Sequence, residues 1–334
     1  MGLFVRRIRE EIYSSPSTLP EHSKKVVLLD TIDKKLILEL DENCRATFQE
    51  LAHKLGMTAN AVRKRVTKLV EQGVIEEFVV IMRPAMTGAE FLLALLHTDG
   101  LEDDEALLKE MGDYPGVVQT GLIASVKGRT YLVFAEYIGA AGLMDLRKFL
   151  CGLESVQEVE LHTLLRQKGT KIELSKLHLR VLRQLIEDAR MSITDIANNT
   201  GLSAKRVRRA LSDITESGAF WLAARWNLSA GEDTEFYARI EIDERVADRE
   251  AVDEYLRSNH PSEYWLSFHS AIEPTVFAKF VTEHFRESDE IAKALKNAPF
   301  VKSIDVLICY PVYKFERLSQ LMLKEKLTEA GLWP

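Results

Sequence analysis

TFQELAHKLGMTANAVRKRVTKLVEQG, residues 47–73, and SITDIANNTGLSAKRVRRALSDITESG, residues 192–218, are one pattern written twice. In the first, Thr47 followed three residues later by Glu50 is a capping box that opens a helix. Phe48, Leu51, Ala52 and Leu55 give that helix one apolar side, and Gly56-Met57 ends it in a tight turn. Thr58 caps a second helix whose Ala61, Val62, Val66, Leu69 and Val70 face inward. Arg63, Lys64, Arg65 and Lys68 are left outside, and Gly73 stops the helix. The second stretch repeats this without a gap: Arg45, Ala52, Gly56, Val62, Arg63, Glu71 and Gly73 meet Arg190, Ala197, Gly201, Val207, Arg208, Glu216 and Gly218 at a constant offset of 145 residues. The pattern is a helix-turn-helix, present twice.

The surroundings repeat as well. Ile32, Leu36, Ile37 and Leu40 form a helix before the first motif, and Leu174, Leu177, Val181, Leu182 and Leu185 form one before the second. Val74–Pro84 and Phe220–Asn227 read as wing strands. After each wing the order is strand, helix, strand pair, helix, strand. In the first copy these are Phe91–Leu96, Asp103–Tyr114, Val117–Val126 with Thr130–Tyr137, Leu143–Leu153 and Val156–Leu165. Phe236 and Val301 stand 145 residues after Phe91 and Val156, so the sheet domain is duplicated too. The predicted class is α+β: a winged helix-turn-helix plus a ferredoxin-like β-α-β-β-α-β sheet, the pair occurring twice. The expected division is 1–27 (N-terminal helix and linker), 28–84 and 169–230 (winged helix-turn-helices), 85–168 and 231–313 (sheet domains) and 314–334 (C-terminal helix, expected to dock on the body).

In combination these residues resemble the Lrp/AsnC family of transcription regulators. The resemblance is carried by Leu29-Asp30-Thr31-Ile32-Asp33, Glu50-Leu51-Ala52, Gly56-Met57-Thr58, Val62-Arg63-Lys64-Arg65-Val66 and Gly73-Val74-Ile75. It implies double-stranded DNA as partner, pairing through the sheet domains (between chains or within one chain as a pseudo-dimer), and a small effector, an amino acid or other metabolite. A major groove admits one helix, whose cations meet phosphates and guanine edges. The expected DNA-facing residues are Thr58, Asn60, Arg63, Lys64, Arg65 and Lys68, and in the second copy Ser203, Lys205, Arg206, Arg208 and Arg209. The expected effector residues are Gly121, Ser125, Lys127, Gly128 and Arg129 of the first strand pair, with His269 and Glu273 of the second. Departures are visible: His178 stands at the Asp33 position, Phe220-Trp221 replaces Val74-Ile75, and no acidic residue follows closely on Gly121.

Composition sets the remaining bounds. The 334 residues exceed one usual domain, and 46% hydrophobic with 28% charged residues describe a globular protein. A net charge of -7 restricts any DNA contact to local basic faces. Three scattered cysteines make no disulfide framework or metal knuckle, and no apolar run is long enough to span a membrane, so a cytoplasmic protein is expected. Arg6, Arg7 and Arg9 lie on a short amphipathic N-terminal stretch. No phosphate loop, HExxH helix or nucleophile elbow occurs, and the histidines lack ligand spacing; no cofactor, metal or catalytic residue is expected. One enzymatic alternative shares the fold: sirohaem decarboxylases, for which Arg129 and Arg166 or Lys168 could hold propionates.

Overall fold

The computed structural model describes residues 29–124, 129–228 and 234–333. The first helix-turn-helix comprises α1 (Thr31–Glu42), α2 (Phe48–Leu55) and α3 (Ala59–Glu71). Its caps are the expected ones. Asp30 accepts from the Asp33 backbone N–H at 2.8 Å, the Thr47–Glu50 capping box is complete, and Thr58 accepts from Ala61. Gly56 and its counterpart Gly201 both have φ of 65°, a left-handed turn that any side chain would strain. The second motif comprises α7 (Lys176–Glu187), α8 (Ile193–Thr200) and α9 (Ala204–Glu216), capped by Ser175, Ser192 and Ser203.

The strands β1 (Ile75–Met82) and β6 (Phe220–Trp226) differ from the expected wings. Instead of standing beside its own motif, each pairs antiparallel with the other, from Ile75 opposite Trp226 to Met82 opposite Phe220. Their register pairs each strand along one edge, which an isolated wing strand lacks. Two arginines at equivalent positions reinforce the ribbon. Arg45 donates to the carbonyls of Ala189 (2.7 Å) and Met191 (3.0 Å), and Arg190 donates to the carbonyl of Cys44. Cys44 and Ala189 are themselves 145 residues apart, so the exchange is two-fold in form.

Past α4 (Pro84–Thr87), the first sheet unit contains β2 (Ala89–Thr98), α5 (Asp104–Gly112), β3 (Val117–Ala124), β4 (Thr130–Ile138), α6 (Gly139–Cys151) and β5 (Val156–Leu164). The second contains β7 (Thr234–Ile242), α10 (Arg249–Asn259), β8 (Tyr264–His269), β9 (Thr275–Thr282), α11 (Phe285–Lys296) and β10 (Val301–Lys314). They form one eight-stranded sheet in the order β5-β2-β4-β3-β10-β7-β9-β8. β10 pairs with β7 through Ile308 and then with β3 from Ile308 to Lys314. Its register slips between Cys309 and Val312, across Pro311, which has no N–H for the ladder. The sheet's far edges also meet. Leu164 bridges Ser270, Leu165 donates to the His269 carbonyl at 2.9 Å, and Ala271 donates to that of Thr163 at 2.7 Å. The result is a barrel with one continuous seam and one short one.

Alternation along the strands explains the core. Leu92, Ala94 and Leu96 of β2 pack under the helices α5 and α6, while Leu93 and Leu95 point into the barrel with Phe134, Tyr237 and Phe277. In the second unit Phe236, Ala238 and Ile240 pack under helices α10 and α11. The C-terminal helix α12 (Leu318–Glu329) buries Leu323 and Leu327 in the core of the second helix-turn-helix, alongside Val80 and Met82 of β1.

Candidate nucleic-acid interface

Both basic helices present their charge outward, because Val62, Val66 and Leu69 in α3, and Val207, Ala210, Leu211 and Ile214 in α9, take the inner face. Asn60, Arg63, Lys64 and Lys68 are exposed, and so are Lys205, Arg206, Arg208 and Arg209. Thr58 and Ser203 serve as N-caps, accepting from the N–H of Ala61 at 3.2 Å and of Arg206 at 3.4 Å. Arg65 is the exception. It donates to Asp30 at 2.8 Å and to Asp33 at 2.7 Å, bracing α3 against α1. Those bonds raise the Arg65 pKa, and its charge is spent inside the motif rather than offered to a phosphate. Arg63 lies over the Phe48 ring, 5.3 Å from its centroid, which stiffens the side chain without neutralising it.

Of the expected effector residues, the structure describes Gly121, Arg129, His269 and Glu273, each with partners of its own. Gly121 is buried in β3 between Leu132 of β4 and Val312 of β10. Arg129 pairs with Asp104. His269 accepts or donates through Nε2 at 2.9 Å from Asp253, and Glu273 lies 3.8 Å from His162 Nδ1. Ser125, Lys127 and Gly128 lie outside the described residues, as do Arg6, Arg7 and Arg9. Sequence periodicity could not show that strands β3 and β8 lie at different seams of a barrel.

The short seam carries a polar cluster that sequence reading missed. Glu160, His162 and Glu273 place ligand-type atoms within 4.8 Å of one another. The buried imidazole meets Glu160 through Nε2 at 2.8 Å, while Nδ1 faces Ser270 at 3.3 Å and Glu273. Arg239 of β7 donates to both Glu160 oxygens. The ring and guanidinium therefore join the first unit to the second as a staple. Burial opposes ionisation of Glu160, but the His162 and Arg239 bonds outweigh it and hold the carboxyl at about 2.

A cavity of about 150 Å³ lies between the barrel and the β1–β6 ribbon. Phe134, Tyr237 and Phe268 of the barrel line it, as do Trp221 and Trp226 of the ribbon. Arg166 also lines it; Arg129 and Lys168 do not.

Two helix-turn-helices, each followed by a strand of the shared β1–β6 ribbon and then by a ferredoxin-like sheet unit, define a tandem winged helix-turn-helix protein. The winged helix-turn-helix DNA-binding family matches residues 29–76 and again 174–218. The chain thus carries two tandem copies of that helix-turn-helix module. Two proteins of Pyrococcus horikoshii, both named as uncharacterized HTH-type transcriptional regulators, are similar to it. PH0140 is 26% identical over 143 residues, covering 43% of this chain and 85% of that protein. PH0045 is 38% identical over 76 residues, which is 23% of this chain and 48% of PH0045, so the chain spans about half the length of that relative. Over 90% of the chain, the fold is similar to the siroheme decarboxylase NirDL (99% of that chain, TM-score 0.55, 15% identity), a likeness of fold alone. Among the described residues no helix is long and apolar enough to cross a membrane.

Proposed function

We propose that the chain regulates transcription as a pseudo-dimer within one polypeptide, reading an asymmetric operator with α3 on one half-site and α9 on the other. The observation that carries this reading is the β1–β6 ribbon with its Arg45–Arg190 exchange, which fixes two exposed basic helices to each other without a second chain. Two readers joined in this way present a fixed spacing, and linkage raises the effective concentration of the second once the first has bound. The helices differ at their N-terminal ends, where base contacts concentrate. α3 offers Asn60, suited to an adenine edge, and α9 offers Lys205 and Arg206, suited to guanine. The half-sites are therefore expected to differ.

Selection of bound duplexes from a random pool tests this directly. The expected result is one asymmetric site with two dissimilar half-sites, bound by a monomeric chain with a steep salt dependence. A palindromic site bound by two chains would overturn the intrachain arrangement. Unchanged affinity after Arg63→Glu with Arg208→Glu would overturn the DNA reading itself. The tetrapyrrole-decarboxylase alternative draws support from the fold only. Coloured purified protein or tight binding of a uroporphyrin would favour that alternative, and the proposed regulator is expected to show neither.

A further inference from the structure

The cavity between barrel and ribbon has an unusual balance of charge. Five cations line it, Arg166, Arg225, Lys279, Lys314 and Arg317, against one carboxylate, Asp41. Four of the five have an acidic neighbour. Lys279 is paired with Glu235, Arg317 with the buried Glu136 at 3.0 Å, and Arg225 with Glu77 at 2.5 Å, while Lys314 lies 3.8 Å from Glu76. Arg166 differs: among the described residues its guanidinium makes no hydrogen bond or close ion pair, feels Glu136 and Asp41 only at longer range, and packs against rings. Its Cζ stands 4.5 Å from the centroid of Phe91 and 5.8 Å from those of Trp221 and Phe268. Burial and the neighbouring Arg317 push this arginine down to about 10. An enclosed cation without a hydrogen-bonded anion is costly, and this one stands at the wall of a cavity.

None of the five cations belongs to the duplicated pattern. At the 145-residue offset, Arg166 corresponds to Pro311, Arg225 to Val80, Lys279 to Phe134, Lys314 to Gly169 and Arg317 to Ile172. The charge is thus no by-product of the repeat.

We infer that this cavity binds a small aromatic carboxylate, with Arg166 forming the two-pronged bond to the carboxylate and the ring held among Trp221, Trp226 and Phe268. A guanidinium matches a carboxylate in plane and hydrogen-bond spacing, and the walls supply stacking surface. The volume admits one ring or two fused rings. The site is distinct from the turns around Gly121 and His269, and it does not depend on whether the helices bind DNA.

Calorimetric titration of the full-length chain with benzoate, phenylacetate and indole-3-carboxylate tests the inference, with acetate and benzamide as controls lacking the ring or the charge. At least one of the three aromatic carboxylates is expected to bind one per chain. Acetate and benzamide are expected to bind about tenfold more weakly or not at all, as loss of a charge-assisted bidentate bond or of the stacked ring requires. Arg166→Gln should lose about tenfold or more in affinity, as loss of the charge-assisted bidentate bond requires. If Arg166→Gln does not fold, the comparison of carboxylate with amide on the parent chain decides. The inference is overturned if none of the three binds at millimolar concentration, if benzamide or acetate binds equally well, or if folded Arg166→Gln binds as tightly as the parent.

Discussion

The two reading helices share a core and differ in how they use charge. In α3 the cations run from Arg63 to Lys68, and Arg65 is tied to Asp30 and Asp33. In α9 the position of Arg65 is the buried Ala210 and that of Lys68 is Asp213, which faces His178 at 3.4 Å. The charge of α9 is gathered instead into its first two turns, at Lys205, Arg206, Arg208 and Arg209. The departures in the second motif therefore move the cations toward the helix N-terminus, where base edges are met. Duplication preserves packing, which a helix cannot change cheaply, and leaves the exposed face free to diverge.

The largest effect should separate these helices. Lys205→Glu with Arg206→Glu is expected to lower affinity for a selected duplex about 100-fold, against about tenfold for Asn60→Glu with Ala61→Glu at the matching positions of α3, and only the first pair should flatten the salt slope, by about two phosphate contacts. Fluorescence anisotropy across a salt series measures both, and equal losses would erase the proposed division of labour.

Next comes the ribbon that couples the readers. Beside it Arg45 makes two bonds to carbonyls of the connection between α7 and α8. Arg45→Ala should cost about 2–3 kcal/mol by denaturant unfolding, because it strands partly buried acceptors. Arg190 makes one bond to a carbonyl, with its Cζ also 4.7 Å from the Phe48 ring centroid, and Arg190→Ala should cost somewhat less.

A smaller effect belongs to the short seam of the barrel. Glu160→Gln is expected to cost about 1–2 kcal/mol. Glu160 sits at about 2 in the folded chain, below the ordinary value of 4.5. The unfolded chain therefore binds more protons in between, so this contribution is complete above about pH 5 and is lost as pH falls toward 2. Thermal unfolding from pH 5 to pH 3 should show a steeper decline for the parent than for Glu160→Gln. The smallest change is Arg65→Ala: about 1 kcal/mol of stability and less than a threefold change in DNA affinity, since this arginine holds α1 rather than a phosphate.

Much of the fold was legible because it is local. Thr47 with Glu50, Gly56 at a left-handed turn, and the inward stripe Val62–Val66–Leu69 specify a helix-turn-helix over a few turns of chain, and the 145-residue offset specifies it again. The continuous apolar run Phe91–Leu96 likewise announces a strand covered on both faces. The reading helices and their exposed cations followed from the same periodicity; that Arg65 is spoken for did not, because its partners lie more than thirty residues away.

The strand β7 (Thr234–Ile242) marks the boundary between what local pattern and tertiary structure decide. Its alternation of Glu235, Tyr237, Arg239 and Glu241 with Phe236, Ala238, Ile240 and Ile242 determines a strand with one apolar face, and by itself suggests that the other face meets water. Closure of the barrel decides otherwise. Tyr237 is buried inside it, Arg239 reaches Glu160 of the other unit, and Glu235 pairs with Lys279 beside the cavity. Local periodicity fixes which side chains share a face. Only the meeting of strands more than a hundred residues apart determines what that face encloses, and with it the pairing of β1 with β6, the seams and the isolated charge of Arg166.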